Sequence, residues 1–383
     1  MASEMQIFRP LRQRPPVKRP IWIIVSVSLV CLFLVSAYIS LPENYNSGCY
    51  MFLTSCRSSF SEAADSVREY SDEEIASRVV IREILNPVHT KIPKIAFMFL
   101  TKGSLPFEML WDKFFHGYEG KFSVYVHAST QKPVHVSRHF VDRDIHSVQV
   151  TWGDISMIDA ERRLLANALE DPQNQHFVLL SDSCVPLHSF EYVYNYLLHA
   201  NLSFIDCFKD PGKYGDGRYP IKMLPEVEKK DFRKGAQWFS MKRKHAVITV
   251  ADTLYYSKFR DFCKLGFEGK YCVADEHYLP TFFYMVDPGG IANWSVTHVD
   301  WSERKWHPKL YKASDVTSQL LNSITSIDIS VHVTSDKKKE VQRQSCLWNG
   351  MKRPCYLFAR KFHPDSLHNL LNNNNLFSNF SII

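Results

Sequence analysis

Two adjacent carboxylates, Asp275 and Glu276, stand in the stretch Tyr271-Cys-Val-Ala-Asp-Glu-His-Tyr-Leu-Pro-Thr-Phe-Phe283. Behind them Tyr278, Leu279, Phe282, Phe283 and Val286 recur at helical spacing, which puts both acids in the first turn of a helix. A carboxylate held there can take a proton from a hydroxyl brought within hydrogen-bond reach. Acids also favour helix starts through the backbone dipole whatever the protein does, so the pair alone decides nothing, and Asp275 is the expected cap. The complementary charges come late: Lys352, Arg353, Arg360 and Lys361 are the late candidates that could hold an anionic leaving group. On charge pattern alone they are equally a solvated edge. A literal Asp-x-Asp at Asp142-Arg143-Asp144 precedes a predicted strand instead of ending one and reads as a solvated turn, while Ser181-Asp182-Ser183 offers a single acid. The chain has no GxGxxG, P-loop, zinc spacing or CxxC.

The elements that must position these groups begin at residue 94. Apolar runs at Ile95–Leu100, Phe122–His127, Val148–Trp152 and Phe177–Leu180 alternate with helix-like segments, such as the one carrying Phe190, Val193, Tyr194 and Leu197. That alternation predicts an α/β fold whose mostly parallel sheet is covered by helices on both faces. Ligands bind such sheets beyond the carboxyl ends of the strands, which selects the polar loops 101–104, 127–130, 152–156 and 181–184 as walls of a nucleotide-sized crevice. Asp182 is placed with the nucleotide and Trp152 with the rest of the ligand. Further on, the Gly-rich insertion 209–235 is expected to face substrate. Strands are predicted at Gln237–Met241, Val296–Trp301 and Tyr356–Lys361, and a helix at Ala246–Leu254. Trp301, ending a strand, could grip the apolar face of a sugar ring.

The 383 residues are 45% hydrophobic, enough for a substantial core, and the net charge of +6 is concentrated at the start. Arg9, Arg12, Arg14, Lys18 and Arg19 against Glu4 give +4 within residues 1–20, leaving +2 for the rest, so nucleic acid is not an expected partner. Residues 21–41 carry no charge, Pro or Gly and are long enough to span a bilayer, and the basic flank before them keeps the N-terminus cytoplasmic. The expected layout is a cytoplasmic tail (1–20), a single-pass type II signal anchor (21–41), a stem (42–90) and a lumenal domain (91–383); the run exceeds a cleaved signal peptide's usual apolar region. In the stem, Ser71-Asp-Glu-Glu74 fits a capping box opening a spacer helix. Cys31 lies in the span, and the other eight cysteines permit full pairing in an oxidising lumen, with Cys263/Cys272 and Cys346/Cys355 close enough to pair locally. Sequons stand at Asn201, Asn293 and Asn379.

The motifs WGDISMIDAE (152–161), LLSDSCVPL (179–187), GAQWFSMKR (235–243), ADEHYLPT (274–281), THVDW (297–301) and CYLFARKF (355–362), in this order behind the anchor, resemble the core-2/I-branching β-1,6-N-acetylglucosaminyltransferase family in its plant-type branch. The resemblance covers about residues 92–370. It implies a GT-A-like fold and an inverting, metal-independent transfer from a UDP-sugar, expected to be UDP-N-acetylglucosamine, to a glycan or cell-wall polysaccharide in the Golgi lumen. Glu276 matches the family's general base and Lys361 its diphosphate contact. A basic residue before the second cysteine of a nine-residue-spaced pair does likewise, a role for which Lys352 and Arg353 compete beside Cys355. Trp301 matches an acceptor-stacking position, His127 lies where the second strand meets uridine, and Asp275 is placed against the substrate. Residues 209–235 depart from the animal enzymes, which keeps open a glucuronosyltransferase of the same fold or an inactive, membrane-anchored carbohydrate-binding protein.

Overall fold

The computed structural model describes residues 28–32, 70–85, 92–303 and 305–373. The expected anchor over 21–41 lies outside them except for 28–32, which are helical, and Cys49, Cys56 and Asn379 lie outside as well. Among the described residues no helix is long and apolar enough to cross a membrane.

Helix α1 (Asp72–Leu85) opens in the expected capping box: Glu74 N–H donates to Ser71 Oγ at 3.3 Å and Ser71 N–H to Glu74 Oε2 at 3.1 Å. It is not a free spacer. Val79 is buried, Asp72 pairs with Arg163, and Glu83 accepts from Arg243 Nε at 2.9 Å. Buried guanidinium groups need such partners, and α1 supplies them, so the compact unit begins at residue 69 and takes in the end of the expected stem.

Three of the apolar runs form the strands expected of them. β1 (Lys94–Thr101) lies between β2 (Phe122–Ala128) and β3 (Asn174–Ser181), parallel to both. Ile95, Phe97 and Phe99 of β1 enter one core, and Ala96, Met98 and Leu100 the other, which is why the run has no polar position. Helix α2 (Glu108–Phe115) supplies Trp111, Phe114 and Phe115 to the first core, where the Phe97 ring lies 5.0 Å from that of Phe115. Truncating Phe97 to Ala there would cost about 3–5 kcal/mol. Helix α3 (Ser156–Leu169) covers the opposite face, and α4 (Phe190–Leu198) packs beside α2's aromatics.

Val148–Trp152, expected as a strand, is irregular. Its N–H groups go to side chains, Val148 to His127 Nε2 and Thr151 to Ser156 Oγ, and Val148 and Trp152 are exposed. The sheet is also mixed instead of mostly parallel. β6 (Ser240–Lys242) is antiparallel to β3 and to β5 (Ser203–Asp206), and β7 (Ile291–Asn293) closes the edge parallel to β5, in the order β2-β1-β3-β6-β5-β7. The 207–239 connection holds short 3-10 turns and no crossover α-helix, and a parallel return generally needs one. After β6 come α5 (Arg243–Ala251), α6 (Leu254–Phe262) and α7 (Ala274–Val286).

A second sheet sets β13 (Phe358–Arg360) between β4 (Val185–Pro186) and β8 (Thr297–Val299). Its neighbour is an antiparallel hairpin of β9 (Ile329–Val333) and β10 (Val341–Ser345), followed by the short pair β11 (Leu347–Trp348) and β12 (Met351–Lys352). Cys263–Cys272 and Cys346–Cys355 are disulfides, with Cα atoms 4.9 and 5.4 Å apart. Full pairing does not hold: Cys184 and Cys207 are free, and they sit in the two different cores.

Candidate active site

The two acids fall in the first turn of α7, as their spacing requires, but their surroundings separate them. Asp275 is 6% exposed, and its Oδ1 has no hydrogen-bond partner among the described residues. Burial, reinforced by the Glu276 charge, pushes its carboxyl up to about 7. It is not the helix cap: Val273 holds that position, and the Asp275 carboxyl sits instead within electrostatic reach of Glu161 on α3. Glu161 is buried and accepts from Gln237 Nε2 at 3.0 Å; burial, with Asp275 adding, pushes its carboxyl well up too.

Glu276 is the accessible member, its side chain 25% exposed. It accepts from Arg218 Nη1 at 2.6 Å and lies 3.6 Å from Lys234 Nζ. Burial alone would raise its carboxyl, but Lys234 and Arg218 outweigh it and hold the group below its ordinary value, hence ionised. Tyr214 roofs both cations, its ring 5.4 Å from Arg218 and 5.6 Å from Lys234. Gly235 makes the approach possible: its N–H donates to the Glu276 carbonyl at 2.9 Å, and a Cβ there would stand 1.9 Å from the Asp206 carbonyl oxygen. Next to the acids, His277 is buried and stacked on Phe232, with its ring Nδ1 2.7 Å from the Arg233 carbonyl. It ties α7 to the 209–235 connection. Tyr214, Arg218 and Lys234 all come from that connection; its polar, Gly-rich composition was the only signal for them.

A second charged group forms beyond the ends of β1 and β3. Phe362 N–H donates to the Ser183 carbonyl at 3.1 Å and pins the residues after β13 there. Burial, then the neighbouring Arg360, pulls the Lys361 ammonium below its ordinary value, with Asp182 opposing and Lys102 adding. Arg360 is largely buried, its guanidinium 4.2 Å above the Trp238 ring, and its Nε has no partner among the described residues. Three cations face one carboxylate, an arrangement suited to an anion. Val299 pairs with Arg360, so Trp301, 51% exposed, stands two residues past the same strand end. Trp152 is exposed beside Gly153 (φ 74°), which abuts Leu265 in the Cys263–Cys272 loop leading into α7.

Other expected residues stand apart. His127 is fully buried; its Nε2 accepts from Val148 N–H and from Arg163 Nη1, both at 3.2 Å, so the ring proton is on Nδ1. Burial and Arg163 push it down to about 4, leaving a neutral ring with no surface for a ligand. Lys352 pairs with Asp328 at 2.8 Å, and the Arg353 guanidinium lies 5.8 Å from the Trp348 ring, its charge felt by Tyr192 and Tyr196 of α4. Neither joins the Lys361 group. Asp142 is exposed, as a solvated turn requires, but Asp144 is not solvated: its carboxylate is largely buried against His135, within 3.6 Å of Lys132, and its backbone bridges to Val126 of β2. Among the described residues no group of three or more His, Cys, Asp or Glu could hold a metal ion. Asn201 is exposed, whereas Asn293 is half-buried and the hydroxyl of its sequon Ser295 donates to the Trp238 carbonyl.

A mixed α/β sheet with flanking helices, an ionised carboxylate at a helix start and cations beyond the strand ends together fit one class, and the chain belongs to the Core-2/I-branching enzyme family, whose model matches residues 95–325. It is similar to Glycosyltransferase BC10 of Oryza sativa subsp. japonica, 38% identical over 303 residues that make up 70% of this chain and 73% of the relative.

Proposed function

We propose that this chain is an inverting glycosyltransferase that moves N-acetylglucosamine from a UDP-sugar to a glycan or cell-wall polysaccharide, with Glu276 as general base. Membership of the family and the printed name of the rice relative support sugar transfer. The observation that carries the assignment of the base is the contrast within the acid pair: Glu276 is accessible and held ionised, Asp275 is buried and pushed toward its neutral form. In this reading the Glu276 carboxylate accepts the proton of the acceptor hydroxyl as its oxygen bonds to the anomeric carbon, and the bond to UDP breaks on the opposite face. Arg218 and Lys234 orient the carboxylate until the acceptor hydroxyl takes their place. Lys361, Arg360 and Lys102 stabilise the departing diphosphate, a role for side-chain cations that leaves no step for a metal. Trp301 and Trp152 offer ring faces to sugars, and Asp182 sets the position of Lys361. The site works in the Golgi lumen, behind a type II anchor at residues 21–41.

The test is UDP release from a panel of UDP-sugars, with and without EDTA, in the presence of candidate acceptors. One donor should give acceptor-dependent release that persists in EDTA. Release from no donor would remove the enzymatic reading in favour of a carbohydrate-binding protein, and loss in EDTA would remove the metal-free mechanism. UDP-glucuronate as the preferred donor would replace the sugar and keep the site.

A further inference from the structure

A cleft of about 470 Å³ opens beside the Glu276 site, across the antiparallel bridge between Phe208 and Lys234. Successive side chains of an extended segment point to opposite sides, and here they divide the work: Lys234 reaches Glu276, while Arg233 lines the cleft. Tyr284 lines it too, eight residues along α7 from Glu276, which is about 12 Å on the helix axis. The two places are close enough for one polymer and too far apart for one sugar ring.

The lining includes Lys209, Arg233, His332 and Arg343 and no carboxylate. Bulk charge does not explain this, since the chain beyond residue 20 is only +2. Lys209 is already paired with Asp216, and His332 with Asp206 at 2.7 Å. Arg233 and Arg343 make no ion pair among the described residues. Arg233 lies flat on Tyr284, 3.4 Å from the ring centroid, and His332 stacks on Phe208 at 4.1 Å. The turn of the same β9–β10 hairpin carries exposed Lys337, Lys338 and Lys339 between Asp336 and Glu340. Arg233 Nη1 donates to the Lys230 and Phe232 carbonyls at 2.7 and 3.1 Å, which leaves its Nε and Nη2 and the guanidinium of exposed Arg343 to meet a sugar that bears a carboxylate, and the volume is that of a ligand site, roughly 300–1,000 Å³.

We propose that this cleft is a second glycan subsite that binds uronate residues of the acceptor polymer, with carboxylates on Arg233 and Arg343. The inference rests on the transferase reading for the identity of the polymer as acceptor. Its distance from Glu276 means that it anchors the chain away from the reacting hydroxyl.

The experiment uses the full-length chain in detergent without any UDP-sugar and measures binding of tetragalacturonate against its fully methyl-esterified form, equal in length but uncharged. The acid form should bind about ten-fold tighter at low salt, with the preference shrinking as salt rises. Arg343→Gln, on an exposed hairpin position, should weaken the acid form about five-fold or more and leave the ester unchanged. Equal binding of the two forms, indifference to Arg343→Gln, or displacement by inorganic sulfate at the same concentration would overturn the proposal. So would mass spectrometry showing a glycan on Asn293, which also lines the cleft, if Asn293→Gln were needed before tetragalacturonate could bind. Uronate binding without sugar transfer would count against the transferase reading alone, and sugar transfer without uronate binding against this inference alone.

Discussion

Two charged groups flank the candidate site, and they handle their charges differently. Beyond the ends of β1 and β3, Lys102, Arg360 and Lys361 face Asp182; at the start of α7, Glu276 faces Arg218 and Lys234, with Asp275 and Glu161 buried behind it. The first group has positive charge left over, and an arriving anion completes it. The second spends both cations on one carboxylate, so that Glu276 stays ionised while the two acids buried behind it are driven toward their neutral forms. One cluster holds cations in excess, and the other sets one ionised carboxylate in front of two that burial disfavours.

Four substitutions would break or sharpen that contrast. Glu276→Gln should have the largest effect, lowering turnover by about 10²- to 10⁴-fold with donor binding retained, as measured by steady-state UDP release and donor titration. Turnover equal to that of the parent chain would move the base elsewhere. Lys361→Ala should lower kcat by about 10²- to 10³-fold and weaken UDP binding, because it removes charge from the cation-rich end. An effect on acceptor KM alone would contradict its place there. Asp275→Asn should act on stability. The native carboxyl titrates near 7, well above its unfolded value, so the parent chain loses stability as pH rises from about 4 through about 7, by at most roughly 4 kcal/mol. The Asn variant should escape that loss, with a Tm gain at pH 8 that vanishes near pH 4; a gain independent of pH would refute the burial argument. Lys352→Gln should change least, within about two-fold in kcat/KM, since a half-exposed pair with Asp328 contributes little.

The legible parts of the fold were those where one physical cause acts locally. β1, β2 and β3 could be read because burial on both faces makes a continuous apolar run, and α1 because its capping box is written in four consecutive residues. Val148–Trp152 misled because its apolar residues alternate like those of a strand but meet no partner strand. Aromatic type alone did not separate surface from core: Trp301 is exposed, whereas Tyr311 ten residues on is core at 2% exposure. The position of Glu276 was legible and its control was not. Arg218 and Lys234 lie 58 and 42 residues upstream, in a segment without periodicity, and nothing local shows which lysine or arginine will meet the acid. Equally, a buried histidine and a ligand-binding one look alike in sequence; His127 proved to be the first kind in this structure.

The docking of α1 bears on how a secreted form of this protein should be cut. Severing the chain at residue 91, where the sequence suggests that the globular part begins, would leave the buried guanidinium groups of Arg163 and Arg243 without their acids, and an unpaired buried charge costs about 3–5 kcal/mol. Arg163 also donates to the imidazole at the end of β2, so the injury would spread toward the strand ends where the cations gather. A cut before Ser71 keeps the capping box, both ion pairs and that imidazole's partner in one piece.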